Sequence, residues 1–221
     1  MSGGTAELIL FGMVAAFLVL RLRSMLGKRT GFERPAQPVA APGLGQRPAE
    51  VTKPGAPAAQ PGQPHLVVPD PRTPPGQALS RIAAEDPGFD PYRFLHGAEG
   101  AFRMIVAAFA AGDRATLKPL LSEDSYTGFE HAITAREQAG ETQRTEIRAV
   151  NELAIDSADL RGTVADVTVK VVTDQVNITM AADGSVAHGH DGVTELADLW
   201  TFQRDLRSPD PTWRLVATRS V

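Results

Sequence analysis

Twelve of the chain's seventeen prolines lie between Pro35 and Pro75, and that clustering constrains its architecture more than any other feature. Interleaved with Ala, Gly and Gln, this stretch lacks the apolar surface needed to offset the ordering entropy of its backbone. Proline also removes the backbone donors that helix interiors and central strands require. The expectation is a disordered linker over residues 30–75, with a short segment at 1–29 before it and a globular segment at 76–221 after it. Extended as polyproline II, about 45 residues reach on the order of 140 Å. Pro54 with Pro57, and Pro61 with Pro64, have the spacing of ligands for proline-binding modules. Such spacings arise by chance in so proline-rich a stretch, and a plain tether accounts for them.

Ahead of the linker stands one continuous apolar run, Leu8-Ile-Leu-Phe11-Gly-Met-Val-Ala-Ala-Phe17-Leu-Val-Leu20. As a helix, that run spans only about 20 Å of a bilayer core about 30 Å thick. Continued through Leu22, Met25 and Leu26 it spans about 28 Å, provided that Arg21 and Arg23 snorkel to the headgroups. No basic residue precedes the run, and no small-x-small cleavage site separates it from the basic cluster, so an uncleaved anchor is expected rather than a signal peptide. Arg21, Arg23, Lys28 and Arg29 lie on its C-terminal flank and only Glu7 on the other. The positive-inside rule then places everything after the anchor in the cytoplasm.

Charge narrows the partners. Residues 1–75 carry a net charge of +4 and residues 76–221 a net charge of −8. An acidic domain repels phosphate backbones, which argues against nucleic acid as a partner. The absence of cysteine removes disulfides, thiolate catalysis and Cys-based zinc sites.

From Gly76 the pattern becomes globular. A short helix near 77–84 leads into a core over residues 88–221. Asp90-Pro91 reads as an N-cap followed by proline at the first helical position. Phe94, Leu95, Ala98, Ala101, Phe102, Ile105, Val106 and Phe109 then recur at helical spacing, and Gly112 closes the helix. Asp113 caps a short helix that Pro119 interrupts or restarts. Ser122 caps another, with Tyr126, Phe129 and Ile133 as its buried stripe and Gly140 as its stop. Beyond Gly140 the period becomes two: Ile147, Ala149, Leu153 and Ile155; Val167, Val169 and Val171; Val176, Ile178 and Met180. Asp183-Gly184 reads as a hairpin turn. Strands over Val193–Arg204 and Trp213–Thr218 follow. Helices first and an antiparallel meander second predict an α+β fold with helices on one face of a curved sheet.

The stretch Asp198-Leu-Trp-Thr-Phe-Gln-Arg204 followed by Pro211-Thr-Trp-Arg-Leu-Val-Ala-Thr218 resembles the closing strands of the Tim-forty-four-like domain. Phe94–Gly112, ending Ala-Gly-Asp113, is similar to that family's opening long helix, and Phe129-Glu-His-Ala-Ile133 to a later one. The family includes the adaptor subunit of the mitochondrial presequence translocase and bacterial TimA-type membrane-anchored proteins. The resemblance implies a cone related to nuclear transport factor two, with an apolar pocket between helices and sheet. It also implies an adaptor role at a membrane, in inner-membrane protein translocation or assembly. Two differences stand out. A Pro-rich tether replaces the adaptor's long charged N-terminal region, and its lipid-binding helices shrink to Ala78, Leu79, Ile82 and Ala83 with the single base Arg81.

Candidate sites follow from these patterns. Phe94, Phe102, Ile105, Phe109, Phe129, Trp200 and Phe202 either line a ligand pocket or pack as ordinary core. Gly97 and Gly100 in mid-helix suggest a close backbone approach, since each costs about 1 kcal/mol relative to Ala. His188-Gly-His190-Asp191 has two imidazoles on one face only if it is a strand; among glycines a turn is expected, and no third ligand is evident. Asp198 shares a strand face with Leu196, Trp200, Phe202 and Arg204, where it would be either a base in an apolar cavity or half of an ion pair. No nucleophile motif or phosphate loop accompanies it, so an enzyme is not expected, nor a cofactor. Asn177-Ile-Thr179 matches a glycosylation sequon within a predicted cytoplasmic strand and reads as chance. The expected function is that of a bacterial inner-membrane adaptor: anchored by Leu8, Phe11, Phe17, Leu20, Arg21 and Arg23, it presents a cytoplasmic domain to a protein partner. The alternative is a carrier of lipid or a small apolar ligand.

Overall fold

A computed structural model of the protein describes residues 63–221. The anchor and the linker up to residue 62 lie outside that range. Residues ahead of Gly76 already belong to the fold. Strand β1 (His65–Val67) pairs in parallel with β2 (Thr142–Arg161) through Leu66 opposite Leu153. Helix α1 (Pro74–Glu85) begins on two prolines that occupy its first turn, where their missing N–H groups cost nothing. Its cap Thr73 accepts a hydrogen bond from the Gly76 N–H at 3.3 Å. A Cβ at Gly76 would lie 2.1 Å from the Asp70 carbonyl oxygen, so only glycine allows the loop to close on the helix. The fold therefore takes in the last ten or so residues assigned to the linker.

The other helices start and stop where capping chemistry dictates. Helix α2 (Pro91–Ala111) is capped by Asp90, whose Oδ1 accepts from the Arg93 N–H at 2.7 Å, and it ends at Gly112 with φ 72. Helix α3 (Arg114–Leu120) is capped by Asp113. Pro119 does not break α3 in the middle: it falls in the last turn, and the helix ends one residue later. Helix α4 (Glu123–Gln138) is capped by Ser122, with Glu123 and Asp124 favourably placed in its first turn.

Strands β2, β3 (Val164–Met180), β4 (Val186–Asp205) and β5 (Arg214–Ser220) form the expected antiparallel meander, and the sheet order is β1-β2-β3-β4-β5. The parallel β1 makes the sheet mixed rather than purely antiparallel. Three register shifts in β2, near Ile147, Val150 and Ile155, are bulges that bend the strand. One face of β3 shows the burial its alternation predicts: Ala165, Val167, Val169 and Val171 are all buried. Against them pack Leu95, Phe102 and Ile105 of α2, Leu117 of α3 and Ile133 of α4, in a single cluster with Ile82, Leu153 and Leu215.

Two local expectations give way. His188 and His190 lie within β4, opposite Thr179 and Asn177, with Gly189 between them at φ 77 in a bulged stretch rather than a turn. Gly97 and Gly100 have no close neighbour; a Cβ on either would meet nothing within 4 Å.

Candidate functional site

Where α1 ends and α2 begins, the chain makes an aromatic corner. Phe89 precedes the cap Asp90, and Phe94 is the fourth residue of the helix; this spacing is a hydrophobic staple. Their ring centroids lie 5.9 Å apart. Trp213, just before β5, closes the corner at 4.9 Å from Phe94 and 5.8 Å from Phe89. Phe202 of β4 meets Phe94 edge-on at 6.1 Å.

These rings border an open groove of about 330 Å³. Gly97, Ala98, Ala101 and Met104 of α2 form one wall, and Leu120 adds to the apolar lining. The small residues of α2 leave the space that larger side chains would fill. Met104 is 48% exposed, so the groove's α2 wall offers apolar surface to solvent. Asp86, Asp90, Arg93 and Arg204 supply the polar groups. Arg204 Nη1 donates to Asp86 Oδ2 at 2.8 Å, while Arg204 Nε is buried without a protein acceptor.

Of the residues expected to form a pocket, Phe94 and Phe202 border this groove. Phe102, Ile105, Phe109, Phe129 and Trp200 do not; they pack inside the domain. Phe102 meets Trp200 edge-on at 4.8 Å, and Phe109 meets Phe129 at 5.2 Å. The Arg136 guanidinium of α4 sits 5.1 Å from the Phe109 ring centroid and donates to the carbonyls of Phe109 and Ala110 at 2.7 and 3.2 Å. It thereby ties α4 to the last turn of α2. Burial pushes its pKa down from the usual arginine range.

Sequence reasoning missed Phe89 and Trp213. A signal for Phe89 existed in its staple spacing to Phe94, but nothing local links either residue to Trp213.

Asp198 is 3% exposed, on the helix-facing side of the sheet, and accepts a hydrogen bond from Ser220 Oγ at 3.0 Å. It does not border the groove. Trp200 Nε1 and Thr218 Oγ1, on residues paired across β4 and β5, have no hydrogen-bond partner in the protein. Among the described residues no group of three or more His, Cys, Asp or Glu is placed to hold a metal ion. One described helix, α2, is long and apolar enough to cross a membrane, yet it lies on the sheet with seven buried side chains. The anchor residues Leu8, Phe11, Phe17, Leu20, Arg21 and Arg23 fall outside the described residues.

The helices lie on one face of the sheet, with an open aromatic groove at their edge. The particular family follows from the sequence: residues 76–220 match the Tim44-like domain, and the chain belongs to that family. Tim44-like domains are often membrane-associated adaptors in protein translocation. No curated protein matches the chain. Among solved structures, the domain is similar to the crystal structure of the intermembrane space region of chloroplast protein ARC6. The TM-score is 0.42 at 12% identity, covering 57% of this chain and 95% of that one.

Proposed function

We propose that the protein is a membrane-anchored adaptor that holds a segment of a partner protein in the aromatic groove at the start of α2. The observation that carries this reading is the open apolar groove lined by Phe94, Gly97, Ala98, Ala101 and Met104 of α2 together with Phe89 and Trp213. Flat rings and small residues suit an inserted side chain or an extended segment, and aromatic anchors dominate many protein interfaces. The apolar run Leu8–Leu20, with Arg21, Arg23, Lys28 and Arg29 on its C-terminal flank, supports a single-pass anchor in a bacterial inner membrane and a cytoplasmic domain. Tethering would raise the domain's effective concentration near membrane-bound partners.

The second reading, a carrier of a small apolar ligand, is favoured by the groove's volume, which falls at the low end of the range for such sites. Native mass spectra of the full-length protein, extracted gently from its membrane, separate the two. A stoichiometric protein partner that disappears in a Gly97→Leu variant supports the adaptor. A small molecule as the only companion, or a protein partner indifferent to Gly97→Leu, overturns it.

A further inference from the structure

The groove and the tether have matching chemistry. Proline-rich segments dock on aromatic-lined grooves because pyrrolidine rings stack on flat side chains and a preset φ lowers the ordering cost. Phe89, Phe94 and Trp213 make such a surface, with mutual centroid distances from 4.9 to 5.9 Å. Between Pro35 and Pro64 three Pro-x-x-Pro spacings occur: Pro35 to Pro38, Pro54 to Pro57, and Pro61 to Pro64. The first two follow a base, Arg34 or Lys53. The net charge of +4 on residues 1–75 is opposite in sign to the −8 of residues 76–221; at the groove itself Asp86 and Asp90 are balanced by Arg93 and Arg204, so ring stacking rather than charge holds the segment there.

We propose that the groove is occupied in the resting protein by the chain's own segment Arg34-Pro35-Ala-Gln-Pro38. This rests on the reading that the groove docks peptides. Reach selects the segment. His65 at the start of β1 lies opposite Glu152, and β1 runs parallel to β2. On β4, Phe202 and Arg204 lie opposite Val167 and Ala165, which in turn lie opposite Ala158 and Leu160 of β2. The groove is therefore about seven positions further along the strands, about 23 Å, and three strand spacings across, about 14 Å. The straight line is about 27 Å, and a path around the domain is longer. His65 is eight positions after Pro57, a reach of about 25 Å as polyproline II, which falls short of that path, and the third spacing falls shorter still. Pro38 lies 27 residues before His65, a reach of about 84 Å. Docking there draws the groove towards the membrane anchor, and a partner must displace the segment to bind.

The chain contains no cysteine, so a spin-label pair at Val39→Cys and Lys118→Cys is unique in full-length protein held in a lipid nanodisc. A narrow short-distance population is expected. It should be lost in Pro35→Ala/Pro38→Ala and, separately, in Gly97→Leu. A broad, long distribution that neither change alters overturns the proposal, as does a narrow population surviving in Gly97→Leu. A narrow population found only between singly labelled chains overturns it in favour of a second copy's segment. If the distribution is broad in every form while Gly97→Leu still abolishes partner capture, this proposal fails and the adaptor reading stands. Partner capture unaffected by Gly97→Leu removes the adaptor reading itself.

Discussion

Arg204 of β4 and Asp86, the residue that ends α1, meet at 2.8 Å across 118 positions of sequence, and their ion pair fixes one side of the groove. Both side chains are largely covered, at 16% and 20% exposure. The two partners are not equivalent. Asp86 also accepts from the Gly88 N–H at 3.0 Å, and its own N–H closes α1 on the Ile82 carbonyl. Arg204 Nε has no protein acceptor. Asp86→Ala thus leaves both the largely covered Arg204 guanidinium and the Gly88 N–H without their acceptor and is expected to cost about 2 kcal/mol; Arg204→Met keeps the packing of the stem and should cost about 1 kcal/mol. Urea denaturation of the two variants checks the order. Equal costs would mean that Asp86 acts only as a helix terminator.

Gly97 gives a test that separates binding from folding. It sits in the interior of α2, where glycine costs about 1 kcal/mol relative to alanine, and a Cβ there meets nothing. Gly97→Ala should therefore stabilise the domain by about 0.8 kcal/mol, and Gly97→Leu should stabilise it while filling the groove. A drop in thermal midpoint for Gly97→Ala would show that the helix needs its glycine for a contact made by something outside the domain.

Much of this fold was legible because caps and alternation are local. Asp90-Pro91, Asp113 and Ser122 start the helices they were expected to start, and the alternating valines of β3 face the core. What escaped was non-local or too short to carry a period. His65-Leu-Val67 has three residues and a neighbourhood of prolines, and only pairing with β2 makes it a strand. The bulges in β2 blur its alternation. The aromatic stripe of α2 could not say which rings turn inward: Phe102 and Phe109 meet Trp200 and Phe129 in the interior, whereas Phe94 meets Phe89 and Trp213 at the edge. That division depends on where β5 begins, far along the chain.

The same division predicts two different responses to truncation. Phe102 is fully buried against Trp200, so Phe102→Ala opens a cavity and should cost about 3 to 5 kcal/mol. Phe89 is only partly buried, on the groove's rim, and Phe89→Ala should cost less than about 2 kcal/mol while weakening partner capture. Denaturant midpoints alongside capture assays read both. A Phe89→Ala protein that unfolds as readily as Phe102→Ala would place the staple, not the groove, at the centre of this corner's role.

Arg114 and Glu137 tie α3 to α4 through two parallel hydrogen bonds, Nη1 to Oε1 at 2.9 Å and Nη2 to Oε2 at 2.8 Å. The Arg114 hydrogen bonds hold the Glu137 carboxyl below its ordinary value of 4.5. In the unfolded chain the carboxyl returns to that value, so the native state binds its proton less tightly. The ion pair's contribution is therefore complete above pH 4.5 and is lost as the pH falls through the lowered native value. Glu137→Gln removes it at every pH. The difference in thermal midpoint between wild type and Glu137→Gln should be constant at neutral pH and shrink towards zero in acid. Because Glu137 is 54% exposed, the difference should also shrink with added salt at neutral pH. Asp113, Asp183, Asp205 and Asp210, also held below their ordinary values, titrate in both proteins and cancel in the comparison. A difference that survives undiminished in acid would show that the side chain contributes through packing against α3 rather than through its charge.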